Sequence, residues 1–341
     1  MEYSYWNIVL NKIKNKKIDK NIYNPLKNRL NKIDYSNYNH KLIKSTNKFN
    51  INIENEYLNK KYNNYFNNKI NKLDIYLLEN KSLLHIYYDS NKYKQINIII
   101  DKLSKCYKLL SLYFNNKNKN NIYIYLTPFK KKITGKILKK DNINSGYTNI
   151  LSKDITIYRI EELEKVFIHE LIHSFNIDNH LNPIIINNMN NNIYININES
   201  ITELLADIIY YIYLHLEYKK DLNEIINLEF KFSINQSLKY LHHFEYNNFN
   251  EFLYNNNKLK INDNTNYIEY VIIKTALLFN IDKFITIFFN NNLLHIDYEL
   301  CKKFIIDSLY NKDFIKLINN NYNNHTFINT NKMILHELIK I

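Results

Sequence analysis

The chain has 341 residues, room for one large domain or two smaller ones, and its 46 basic residues outnumber 33 acidic ones for a net charge of +13. Lysine supplies nearly all of that charge, spread along the chain with no helix-turn-helix, zinc-finger or RNP signature, so it reads as a solvated face and disfavours a nucleic-acid partner. Cys106 and Cys301 form no C-x-x-C pair, Met1-Glu2-Tyr3-Ser4-Tyr5-Trp6 is no secretory leader, and no run of about eighteen residues is purely apolar, which points to the cytosol or a particle, without a membrane span.

Residues 1–95 are rich in Asn, Lys and Tyr, carry short helical patterns and hold no evident chemistry; a helical N-terminal region is expected there. The main domain is expected over 96–341, with a sheet and a motif-bearing helix in 96–197 and a helical part in 198–341. Ile96 to Phe114 reads as an amphipathic helix, with Ile99, Leu103 and Leu110 against Lys102, Lys105 and Lys108. Asn121 to Leu126 alternates as a strand, Lys130 to Lys140 suggests a hairpin arm turned at Gly135, and Asp154 to Arg159 alternates again. The composition holds only 2 Gly, so Gly146, just ahead of that last strand, stands out. It allows a positive φ or a close backbone approach. Arg159, one of two arginines, ends the strand. The asparagine runs Asn187–Asn192 and Asn290–Asn292 read as polar loops, and Tyr267–Phe279 as an apolar helix.

Between the last strand and the asparagine-rich stretch lies Val166-Phe167-Ile168-His169-Glu170-Leu171-Ile172-His173-Ser174-Phe175, an H-E-x-x-H motif in an apolar run. On a helix, His169 and His173 project from one face, where two imidazoles can hold one zinc ion and Glu170 can act on a water it activates. Glu161, Glu162 and Glu164 upstream suit the first turn of such a helix. His336-Glu337-Leu338-Ile339-Lys340 repeats the first four letters without the second histidine and reads as an ordinary helix face.

A catalytic zinc takes three protein ligands and leaves a position for water. Asn176 and Asn179 stand where the metzincin pattern needs Gly and His, and His180 misses by one residue, so that pattern is rejected. Asp178 is an alternative oxygen ligand that also serves to stop the helix. Glu199 is the third, with Glu203 at i+4 on the same face of a second helix. Glu203 can accept the second N–H of a zinc-bound histidine, or close a capping box with Ser200.

H-E-x-x-H followed by Asn198-Glu199-Ser200-Ile201-Thr202-Glu203 resembles the gluzincin clan of zinc peptidases, whose thermolysin-like members read N-E-x-x-S-D there. The resemblance covers two helices rather than the whole chain. It implies zinc on His169, His173 and Glu199, with Glu170 as general base and Glu203 supporting a histidine. Asn144-Ser145-Gly146-Tyr147-Thr148, Ile155–Arg159 and Glu199–Glu203 also resemble metallopeptidases of large nucleocytoplasmic DNA viruses. The implied fold is α+β and zincin-like: a small mixed sheet with an edge strand over the H-E-x-x-H helix, then a helical part. The edge would pair with a peptide substrate from Ser145–Ile150 or Ile155–Tyr158, making Gly146 and Tyr147 candidates there. Tyr270, His242 and His243 are candidates to stabilise the oxyanion, with Tyr270 favoured because it begins an apolar helix at a gluzincin-like distance. The alternative is a zincin fold without activity, serving as a basic structural or virion-associated protein.

Overall fold

The computed structural model describes residues 23–32, 34, 37–51, 60–116, 118–132, 138–149, 151–188, 191–254, 265–290, 293–324 and 332–335. These divide into two compact units: one within 29–131 and 140–177, the other within 178–336 with short pieces before 29 and around 132–139. Gly135 and the near-copy motif from His336 lie outside the described residues.

The first unit is a mixed sheet of six strands: β1 (His40–Thr46), β2 (Lys72–Leu78), β3 (Ser82–Tyr88), β4 (Asn121–Tyr125), β5 (Gly146–Thr148) and β6 (Ile155–Ile157). Their order is β1-β2-β3-β4-β6-β5. The β1, β2 and β3 strands form an antiparallel meander, β4 and β6 run parallel to β3, and β5 turns back antiparallel on β6. Parallel pairing of β3 with β4 needs a crossover, supplied by α2 (Ile96–Tyr113). This is the helix that the apolar periodicity of Ile96–Phe114 predicts.

Strand alternation gives the sheet two different faces. Leu84, Ile86, Ile122, Ile124, Ile155 and Ile157 are fully buried on the face covered by α2 and by α3 (Leu163–Ser174). The opposite face is aromatic: Tyr87 and Tyr125 stack at 4.5 Å, and α1 (Lys60–Asn68) lays Tyr62 and Phe66 over Tyr158 and Tyr125. Each such ring pair contributes about 0.5–1.5 kcal/mol beyond the area it buries.

The expectation of a helical region over residues 1–95 is corrected. Three of the six strands lie there, and β3 pairs in parallel register with β4, Leu83 to Asn121 through Tyr87 to Tyr125, so one sheet spans the expected boundary. The exposed edge strand β1 hid from pattern reading because five of its seven residues face solvent. Lysines at 41 and 44 and a bulge between Leu42 and Lys44 keep that edge from templating further pairing.

The second unit opens on a hairpin, β7 (Ile184–Asn188) with β8 (Asn191–Ile195). Part of the asparagine run expected to be loop is therefore ladder. Two 22-residue helices follow, α4 (Ile197–Tyr218) and α5 (Leu222–His243), joined by a three-residue turn and capped by Asn196 and Asp221. The Tyr267–Phe279 helix is present but contains a π turn over Glu269–Ile273 before α6 (Lys274–Phe279), which packs on both α4 and α5. Further helices cover Ile281–Phe288, Tyr298–Leu309 and Lys312–Asn320, with a short strand pair at Phe289–Asn290 and Leu293–Leu294. Among the described residues no helix is long and apolar enough to cross a membrane.

Lys239 of α5 is buried, and desolvation pushes its ammonium down to about 7. The unfolded chain keeps this lysine protonated up to about pH 10.4. Below pH 7 both states are charged and the burial cost stands in full; between pH 7 and 10 the folded state is already neutral, so the cost falls by roughly 1 kcal/mol per pH unit. Lys239→Met is expected to raise the urea midpoint at pH 6, with the gain over wild type shrinking as pH rises to 9.

Candidate metal centre

The α3 helix carries the H-E-x-x-H motif, and every residue of it except His173 is buried. A helix enclosed in this way must match its polar groups inside the protein. Its acidic start, expected as a first turn, is buried and paired. The Lys131 backbone N–H donates to Glu161 Oε2 at 2.6 Å, Lys131 Nζ to Glu162 Oε2 at 2.6 Å, and Lys102 Nζ lies 3.4 Å from Glu164 Oε1. The far end is tied as well: Ser174 Oγ donates to the Lys153 carbonyl at 2.7 Å and accepts from Asn120 Nδ2 at 2.7 Å.

Between these anchors His169 and His173 face one another, with Nε2 atoms 3.0 Å apart and rings nearly perpendicular. Two imidazole nitrogens so close either share a proton or present lone pairs to one cation. Two nitrogen ligands on a tetrahedral zinc sit roughly 3.3 Å apart, given Zn–N bonds of about 2.0–2.1 Å. Among the described residues, His169, His173 and Glu199 form a group that could hold a metal ion, one ligand atom of each lying within 4.8 Å of the others. Two imidazoles and a carboxylate are a donor set that zinc accepts.

Glu170 turns toward β5. Its Oε2 accepts from Thr148 Oγ1 at 2.8 Å. A Cβ on Gly146 would stand 2.9 Å from the Thr156 carbonyl oxygen and 3.3 Å from Glu170 Oε1. Of the two reasons for a glycine there, close approach is therefore the operative one. The β5 strand is the sheet edge, whereas β6 lies between β4 and β5, so Ile155–Tyr158 is corrected as an edge candidate. Tyr147 points the other way, into the aromatic face.

The start of α4 is fixed by the π turn. Asn196 caps the helix by accepting from the Glu199 N–H at 3.4 Å, and its own N–H donates to Glu269 Oε1 at 2.8 Å. Tyr270, the next residue, donates to Glu199 Oε2 at 2.9 Å. Ser200 bonds back to the Asn196 carbonyl at 2.9 Å, so Asn196 rather than Ser200 is the cap and the capping-box alternative falls. Glu203 and Asp207 continue one buried face of α4, with Lys274 Nζ at 3.7 and 3.3 Å from their carboxylates. Lys274 also donates to the Met333 carbonyl. The Tyr211 hydroxyl, one turn further, is held well above its ordinary range by burial and by Asp207.

Other expected positions go elsewhere. Asp178 is buried and accepts from Thr202 Oγ1 at 2.7 Å, tying the segment after α3 to α4. His180 meets the Ile296 carbonyl at 3.0 Å. His242 is spent on Tyr322, bonding its carbonyl at 3.0 Å and stacking on its ring, and His243 packs against Phe244. Arg159 is buried, bonded to the Asp141 carbonyl and set over the Tyr62 ring. Sequence reasoning missed Thr148, Glu269 and Lys274. For Lys274 a signal existed, because a lysine inside the apolar run Tyr267–Phe279 requires a buried partner. No family model, curated protein or solved structure matches the chain.

Lys274→Met leaves Glu203 and Asp207 buried without their cation. Loss of one partner from a buried ion pair costs about 3–5 kcal/mol. The variant is expected to unfold at clearly lower urea concentration than wild type, with Glu203→Gln/Asp207→Asn added to Lys274→Met recovering part of the loss.

Proposed function

We propose that the chain is a zinc-dependent peptide hydrolase of the zincin type, with His169, His173 and Glu199 as metal ligands and Glu170 as general base. The observation that carries this reading is the gathering of two imidazoles and a carboxylate within 4.8 Å, with the intervening glutamate turned toward a sheet edge. A zinc ion held there would supply a Lewis acid and lower the pKa of a bound water toward about 7.

The protein's own groups perform the remaining work. The outer side of β5 offers backbone donors and acceptors to an extended peptide, which adds to the sheet as a further strand. Glu170 takes a proton from the attacking water and returns it to the amine nitrogen as the C–N bond breaks. Tyr270 holds Glu199 by a neutral hydroxyl and so orients the carboxylate without cancelling its charge. Glu203, one helical turn beyond Glu199, stands on the same face of α4 to support a ligand histidine.

Protein purified with zinc present is expected to carry one metal per chain by elemental analysis and to cleave an unstructured peptide library. Glu170→Gln should keep the metal and lose roughly 10²–10⁴-fold in kcat. Glu199→Ala should lose the metal. Wild-type protein that binds no zinc, or a Glu170→Gln variant as active as wild type, overturns the proposal. Metal binding without cleavage by wild type would instead favour the inactive structural alternative.

A further inference from the structure

We infer that Thr148 and Gly146 of β5 are positioning residues for the Glu170 carboxylate, anchoring one of its oxygens and leaving room at the other. This inference rests on the proposed role of Glu170 as general base. The two residues are i and i+2 on a strand, so they share the face turned to α3, while Tyr147 between them joins the aromatic face. Thr148 Oγ1 lies 2.8 Å from Glu170 Oε2 and 3.0 Å from the Glu170 carbonyl oxygen. The hydroxyl has one proton to give, and its two acceptors both belong to Glu170, so Thr148 gauges side chain and backbone of the same residue.

Gly146 performs the complementary part. A side chain there would meet Glu170 Oε1 at 3.3 Å and the β6 backbone at 2.9 Å. The strand thus carries a donor where Oε2 sits and no side chain beside Oε1. The two oxygens are thus inequivalent: Oε2 accepts from Thr148, and Oε1 sits beside the one position of β5 that has no side chain. Thr148 ties strand and base to each other, so a peptide paired on the outer side of β5 is registered against the group that acts on it. A general base misplaced by about 1 Å costs on the order of a hundredfold in rate.

The test compares Thr148→Val, which keeps the shape and removes the hydroxyl, with Thr148→Ser, which keeps the hydroxyl. Thr148→Val should bind zinc with wild-type stoichiometry and unfold at nearly the wild-type urea midpoint. Its kcat should fall roughly tenfold to a hundredfold with KM within about twofold. Thr148→Ser should restore kcat to within about threefold, since the donor returns. A readout independent of turnover is the crystal structure of the metal-free variants, with the Glu170 carboxylate rotated away from β5 in Thr148→Val and seated against it in Thr148→Ser. Wild-type kcat and an unmoved carboxylate in Thr148→Val overturn the inference, and so does loss of zinc or of folding in both variants, which marks Thr148 as a packing residue. If Glu170→Gln is inert while Thr148→Val is fully active, only the inference fails; if Glu170→Gln is active, the proposed function itself fails.

Discussion

The enclosure of α3 is the constraint on which the rest depends. A helix that presents apolar side chains to its neighbours on most sides is fixed in place by packing, but every polar group it carries must then find a partner or cost about 1–3 kcal/mol. Lys131, Lys102, Asn120 and the Lys153 carbonyl meet that demand at its two ends. The histidines and Glu170 lie in the middle, between anchors roughly a dozen residues apart, with Glu170 bonded to Thr148.

Charge is graded along α4 in a way that complements this. Glu199, Glu203 and Asp207 occupy successive turns of one face, and three carboxylates in a row would repel one another if they were alike. They differ in their partners. Lys274 sits between the second and third and offsets part of their charge, whereas Tyr270 meets the first with a hydroxyl. The carboxylate without an ammonium beside it is therefore the one grouped with His169 and His173.

Much of this is legible in the sequence, and the limits follow from physical causes. The H-E-x-x-H spacing and the i, i+4 pair Glu199 and Glu203 are local rules of helix geometry, so they could be read directly. The alternation of Asn121–Leu126 and Asp154–Arg159 announced buried strands. The β1, β2 and β3 strands were missed because β1 is mostly exposed and because β2 and β3 carry apolar or aromatic residues on both faces, Leu73 and Tyr87 on one and Tyr76 and Leu84 on the other, which blurs the period of two. Thr148 lies within the expected edge Ser145–Ile150, but its bond to Glu170 depends on the distance between an edge strand and a helix, and no spacing along the chain encodes that. Asp178 and His242 offered suitable atoms at plausible positions, and only the fold shows that Thr202 and Tyr322 engage them.

The π turn at Glu269–Ile273 carries a consequence for how this protein varies. A π turn is an α-helix with one residue too many, and here the surplus falls where two successive residues, Glu269 and Tyr270, both bond to the start of α4. The pairing is thus written in chain length as well as in residue type. Along this helix, exchanging one apolar side chain for another is a small perturbation. Deleting a single residue would restore a regular helix, swing both groups around its axis, and release the cap of α4 together with the orientation of Glu199.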